Sequence, residues 1–62
     1  MLGVVEARRK ELKLSQEKFA NKIGVSRQYY NAVENFRCKP SVKLAKEIAG
    51  ILQVNWTIFF DN

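Results

Sequence analysis

Apolar side chains recur along this chain at helical spacing, and capping or turn residues interrupt each recurrence. Val5, Arg9 and Leu12 share one stripe of a first helix predicted from about Gly3 to Leu12. Phe19, Ile23, Val25, Tyr30 and Val33 form a second set that points inward together if two short helices meet across a tight turn. Ala20 is small enough for those helices to cross closely, and Gly24 can take the positive φ that such a turn demands. Leu44, Ala45, Ile48, Ala49 and Leu52 mark the buried stripe of a later helix. No alternating strand pattern, internal repeat, low-complexity segment or linker interrupts this order.

Punctuation residues set the boundaries. Ser15 can cap the second helix, with Glu17 placing an acid in its first turn, and Gly24 closes it. Ser26 caps a third helix that turns Tyr30 and Val33 inward and leaves Arg27, Gln28, Asn31, Ala32 and Asn35 outside. The run from Phe36 to Pro40 cannot continue that helix, because a residue before proline is pushed out of helical geometry, and Ser41 caps a fourth. Asn55 caps a last short helix from Trp56 to about Phe60. The fold predicted is all-α: a compact five-helix bundle without strands, one domain over residues 1–62.

Composition narrows the class. A chain of 62 residues buries only about 60% of the surface its unfolded form exposes, so its stability is modest. One cysteine makes no internal disulfide, and without histidine no zinc cluster is recognisable. No metal or cofactor is expected, and a bystander role suits Cys38 better than a redox one. The start of the chain meets charge at Glu6, too early for a secretory signal, and no stretch reaches the roughly 20 apolar residues of a membrane span. A soluble, cytoplasmic protein without membrane contact is the expectation. Eleven Lys and Arg against six Asp and Glu give a formal charge of +5, which favours polyanionic partners. The basic residues are spread over several segments, as on a folded surface rather than a tail.

LSQEKFANKIGVSR, then VEN at Val33 to Asn35, then KPS and LAKEIAGIL stand in an order and spacing that resemble the Xre family of small helix-turn-helix regulators, similar to the lambdoid phage repressors and Cro proteins. The resemblance covers nearly the whole chain. It implies a sequence-specific regulator of transcription that binds double-stranded DNA near the nucleoid, with the third helix, about 27–35, in the major groove. The first turn of that helix offers Arg27, suited to guanine O6 and N7, and Gln28, suited to adenine N6 and N7. Asn31 suits an adenine or a phosphate, and Ala32 a thymine methyl; a solvated helix face is the bland alternative for all four. Tyr29 either reaches a phosphate or covers the helix junction.

The family positions also imply phosphate contacts at Gln16, where a helix terminus faces the backbone, and at Asn35, Arg37 and Lys39. Lys18, Lys22, Lys43 and Lys46 read as solubilising charge. Arg9 and Glu34 match a family ion pair that ties the first helix to the reading helix, so Glu34 positions rather than reads. Two residues depart from the family pattern: Lys13 and Phe36 stand where glycine is usual. Each either accepts a left-handed conformation or sends its loop along another path.

A single reading helix touches few base pairs, so proteins of this type bind palindromic operators as homodimers, and the function expected is that of a repressor. Ile51, Trp56 and Ile58 are the interface candidates, with Ile58 first; Trp56, Phe59 and Phe60 also read as closing the core. An alternative function is a protein-interaction module, such as an antitoxin or an anti-repressor partner. An enzyme is not expected, since no nucleophile stands beside a base and no glycine loop cradles phosphate.

Overall fold

The computed structural model describes residues 3–60. The expected domain span also takes in residues 1–2 and 61–62, which lie outside the described residues. Four α-helices, α1 (Val4–Glu11), α2 (Gln16–Ile23), α3 (Arg27–Glu34) and α4 (Val42–Leu52), are followed by a 3-10 turn, Trp56–Phe59. The expected fifth helix is therefore a 3-10 turn. Its bonds from the Ile58 amide to the Asn55 carbonyl and from the Phe60 amide to the Thr57 carbonyl span three residues each, the tighter pattern of a short terminal piece.

All five elements contribute to one core of Val5, Phe19, Ala20, Tyr30, Val33, Ala45, Ile48, Leu52 and Phe59. The rings of Phe19 and Tyr30 stack at 4.9 Å between centroids, locking α2 to α3. Burying an aromatic side chain of this size contributes about 1.5–3 kcal/mol. Ile23 and Val25 pack against this core from its edge. Among the described residues no helix is long and apolar enough to cross a membrane.

The predicted caps form. Ser15, Ser26 and Ser41 each accept a hydrogen bond at 3.1 Å, from the amides of Lys18, Tyr29 and Leu44. Asn55 Oδ1 accepts from the Thr57 amide at 3.0 Å. Each such cap is worth about 1 kcal/mol.

The helix ends share a device that only Gly24 announces. A residue just past each helix takes positive φ: Lys13 at 61°, Gly24 at 79°, Phe36 at 61° and Gln53 at 58°. The next amide then reaches back to the carbonyl five residues earlier, Leu14 to Arg9, Val25 to Ala20, Arg37 to Ala32 and Val54 to Ala49. This is the left-handed closure that satisfies orphan carbonyls at a helix terminus. Lys13 and Phe36 thus accept the left-handed conformation, and Gln53 is a third such site that the sequence reading missed.

The same closure corrects the first helix. Leu12 is expected on one stripe with Val5 and Arg9, yet those two are buried and it is 47% exposed. The helix stops at Glu11 and the chain reverses at Lys13, so Leu14 rather than Leu12 reaches the core.

Candidate nucleic-acid interface

The turn at Gly24 and the cap at Ser26 swing α3 across α2, and Tyr30 and Val33 hold it there by burial. What remains outside is a polar face. Arg27 and Gln28 are exposed in the first turn of α3, Asn31 and Ala32 are half-buried one turn on, and Asn35 is exposed at the C-cap. Asn35 Nδ2 donates to the Asn31 carbonyl at 2.9 Å, completing the helix end. Tyr29 is half-buried against the core, and burial together with the neighbouring Cys38 thiol pushes its phenol up. Its ring thus lies where α3 gives way to the following loop. In that loop Arg37 and Lys39 are exposed while Pro40 is buried.

An open groove of ≈ 690 Å³ runs between the starts of α2 and α3, lined by Arg9, Ser15, Gln16, Glu17, Asn21, Val25, Ser26 and Arg27. Two helix N-termini border it, and each carries partial positive charge that favours an anion. Asn21 was not singled out from sequence. The signal for the groove was present in the two serine caps, because a tight turn between two capped helices brings both starts to one side.

Behind this face lies a polar relay, buried at Arg9 and Glu34 and half-buried at Gln16 and Asn31. Arg9 Nε donates to Glu34 Oε1 at 2.8 Å and Arg9 Nη2 to Oε2 at 3.2 Å, as the resemblance implied. Gln16 Nε2 donates to the same Oε2 at 3.0 Å, and Gln16 Oε1 accepts from Asn31 Nδ2 at 3.1 Å. Arg9 Nη1 also donates to the Leu14 carbonyl at 2.6 Å. Burial would raise the Glu34 carboxyl, but the hydrogen bonds from Arg9 and Gln16 outweigh it and hold the group below the ordinary carboxylate value. The hydrogen bond to Glu34 likewise raises the Arg9 guanidinium, so both partners stay charged.

Gln16 sits at the start of α2, as expected of a phosphate contact, with its carboxamide engaged in the relay. One of its two amide hydrogens remains for a ligand in the groove. The sequence reading did not foresee the bonds from Gln16 to Glu34 and Asn31. Residues so far apart in the chain carry no periodic signal for such a contact.

Ile51, Trp56 and Ile58 are each half-buried and pack against the core. Trp56 meets Phe60 edge-on at 5.9 Å, and Lys46 Nζ lies 5.1 Å from the centre of its ring. Among the described residues the large apolar side chains most open to solvent are instead Val4, Leu12 and Val42.

A family model described as helix-turn-helix matches residues 5–59. An uncharacterized HTH-type transcriptional regulator of Bacillus subtilis, YqaF, is 41% identical over 54 residues, covering 87% of this chain and 71% of its own. An uncharacterized HTH-type transcriptional regulator of Methanothermobacter thermautotrophicus is 44% identical over 52 residues, covering 84% of this chain and 75% of its own. No solved structure matches the chain. The matched span begins in α1 and ends in the final turn, taking in the capped helix pair and its polar face, and the chain belongs to the Xre-like helix-turn-helix family.

Proposed function

We propose that this protein is a cytoplasmic, sequence-specific binder of double-stranded DNA that represses transcription as a homodimer on a palindromic operator. The observation that carries the reading is the exposed first turn of α3, where Arg27 and Gln28 project beside a groove bordered by two helix starts. α3 lies in the major groove, Arg27 and Gln28 meet base edges, and Asn31 and Ala32 extend the contact by one turn. Gln16, Tyr29, Asn35, Arg37 and Lys39 hold phosphates and set the register. Ile51, Trp56 and Ile58 supply the dimer contact, and Glu34 holds α3 in place through Arg9. The names of the two relatives support a role in transcription, and the charge of +5 favours a nucleic-acid partner.

Selection from a randomised duplex pool at about 0.15 M salt tests the proposal. The expected result is a two-fold symmetric consensus with half-sites about one helical turn apart, bound by two copies and at least about a thousandfold tighter than scrambled DNA. Arg27→Ala and Gln28→Ala should each erase preference at one position per half-site. Weak, salt-sensitive binding without a consensus would overturn the proposal and leave protein partnership as the function to pursue.

A further inference from the structure

Gln16 and Asn31 each end in a carboxamide whose oxygen and nitrogen match in shape and differ in chemistry. Glu34 decides which way both face. Its carboxylate can only accept hydrogen bonds, it is 2% exposed, and Arg9 holds both of its oxygens. Gln16 must therefore turn its nitrogen toward Oε2, at 3.0 Å, and its oxygen toward α3. That oxygen takes a hydrogen from Asn31 Nδ2 at 3.1 Å, so Asn31 presents nitrogen to the relay and keeps Oδ1 for whatever lies against α3.

From this chain of donors and acceptors we infer that Glu34 and Gln16 are positioning residues that fix the polarity of Asn31, so that Asn31 reads adenine and rejects guanine. The inference rests on the proposal that α3 faces the major groove. Adenine offers N6 hydrogens to Oδ1 and N7 to the second hydrogen on Nδ2; guanine sets O6, an acceptor, against Oδ1. A freely turning carboxamide could instead point its nitrogen at guanine O6. The relay removes that option, because turning Asn31 would set its oxygen against that of Gln16, and turning Gln16 would set its oxygen against Glu34.

Two measurements on the intact chain test this. In the free protein, the side-chain amide hydrogens of Asn31 should exchange with water more slowly than those of exposed Gln28. Gln16→Met, which spares the Arg9 to Glu34 pair, should abolish the difference while the backbone spectrum stays folded. On the selected operator, the position whose preference vanishes in Asn31→Ala should be adenine, favoured over guanine by about tenfold or more. Gln16→Met should narrow that ratio to about threefold or less; as a lost phosphate contact it should also weaken all sequences alike, leaving the rank of bases at the other positions as it was. Exchange at Asn31 as fast as at Gln28 overturns the relay. Guanine or a pyrimidine at the Asn31 position overturns the polarity assignment, as does a ratio unmoved by Gln16→Met, and in either case the DNA-binding proposal stands. No consensus at all overturns that proposal and this inference with it.

Discussion

Arg9 and Glu34 clasp each other at two points, Nε to Oε1 at 2.8 Å and Nη2 to Oε2 at 3.2 Å, and so join α1 to the last turn of α3. Both side chains lie in the interior, at 6% and 2% exposure. If one partner is removed, Arg9 keeps only the Leu14 carbonyl and Glu34 only the Gln16 carboxamide as hydrogen-bond partners among the described residues. The pair therefore ties α1 to the helix that carries the polar face.

Removing one partner should cost about 3–5 kcal/mol, the usual penalty for stranding a buried charge. A domain this small has roughly that much stability in total. Arg9→Ala and Glu34→Ala are expected to be largely unfolded at 37 °C by circular dichroism. A urea midpoint close to that of the unmodified chain would show that the pair is dispensable.

Two groups in and beside the relay, Glu34 and Tyr30, respond to pH in opposite senses. The Glu34 carboxyl titrates below its ordinary 4.5 when folded, so its contribution is complete above that value and is lost as pH falls through the folded one. Tyr30 behaves oppositely: burial above all, with the Glu34 carboxylate beside it, pushes its phenol above the ordinary 10.0. Its contribution is present below pH 10.0 and is lost as pH rises beyond it. Melting temperature plotted against pH should form a plateau with two shoulders. Tyr30→Phe should shrink the alkaline shoulder to the part that Tyr29 contributes and leave the acidic one in place.

Tyr30→Phe makes a second prediction at neutral pH. The Tyr30 hydroxyl faces Glu34 closely enough to feel its charge, yet it is buried and has no hydrogen-bond partner among the described residues. A buried, unpaired hydroxyl costs about 1–3 kcal/mol, and the ring stack on Phe19 survives its removal. The variant should melt no lower than the parent, with a gain of about 1 kcal/mol. A clear fall would mean that the hydroxyl donates to Glu34 in solution.

The left-handed helix ends offer a test by stabilisation. Lys13 and Gln53 pay the αL penalty of about 1–2 kcal/mol that glycine escapes, while glycine loses about 0.5–1 kcal/mol of chain entropy on folding. Lys13→Gly and Gln53→Gly should each gain about 0.5–1 kcal/mol, or about 4 °C in melting temperature. Phe36→Gly should not gain, because the Phe36 ring packs on Phe59 at 5.9 Å. Conversely Gly24→Ala meets no atom within 4 Å, so its loss should be the conformational penalty alone.

These same residues show why some features could be read from sequence and others could not. The serine caps and the inward set from Phe19 to Val33 are local rules, each settled within one or two turns, and they appear where expected. Gly24 signals its own left-handed turn because only glycine adopts it freely. Gln53 gives no such signal, since its φ of 58° is imposed by the packing of the final turn on α4. Leu12 misled for the same reason: periodicity places a residue on a face but does not say where the helix stops. The relay through Gln16 and Asn31 joins three helices, and nothing short of the packed bundle brings its atoms together.

On the proposed DNA complex, salt dependence separates the cations expected to hold phosphate from the rest. Each phosphate contact on duplex DNA releases about 0.9 of a counterion, so losing one should lower the slope of log K against log salt by about one. Arg37 and Lys39 are exposed in the loop after α3, and Arg37→Ala or Lys39→Ala should each lower the slope while weakening all sequences alike. Lys46 is also exposed, but its ammonium lies over the Trp56 ring on the α4 side of the bundle. Lys46→Ala should leave the slope unchanged and instead cost about 0.5–1 kcal/mol of stability through the lost cation–π contact. If Lys46→Ala lowers the slope as much as Arg37→Ala does, the DNA reaches α4, and α3 is not the centre of the bound surface.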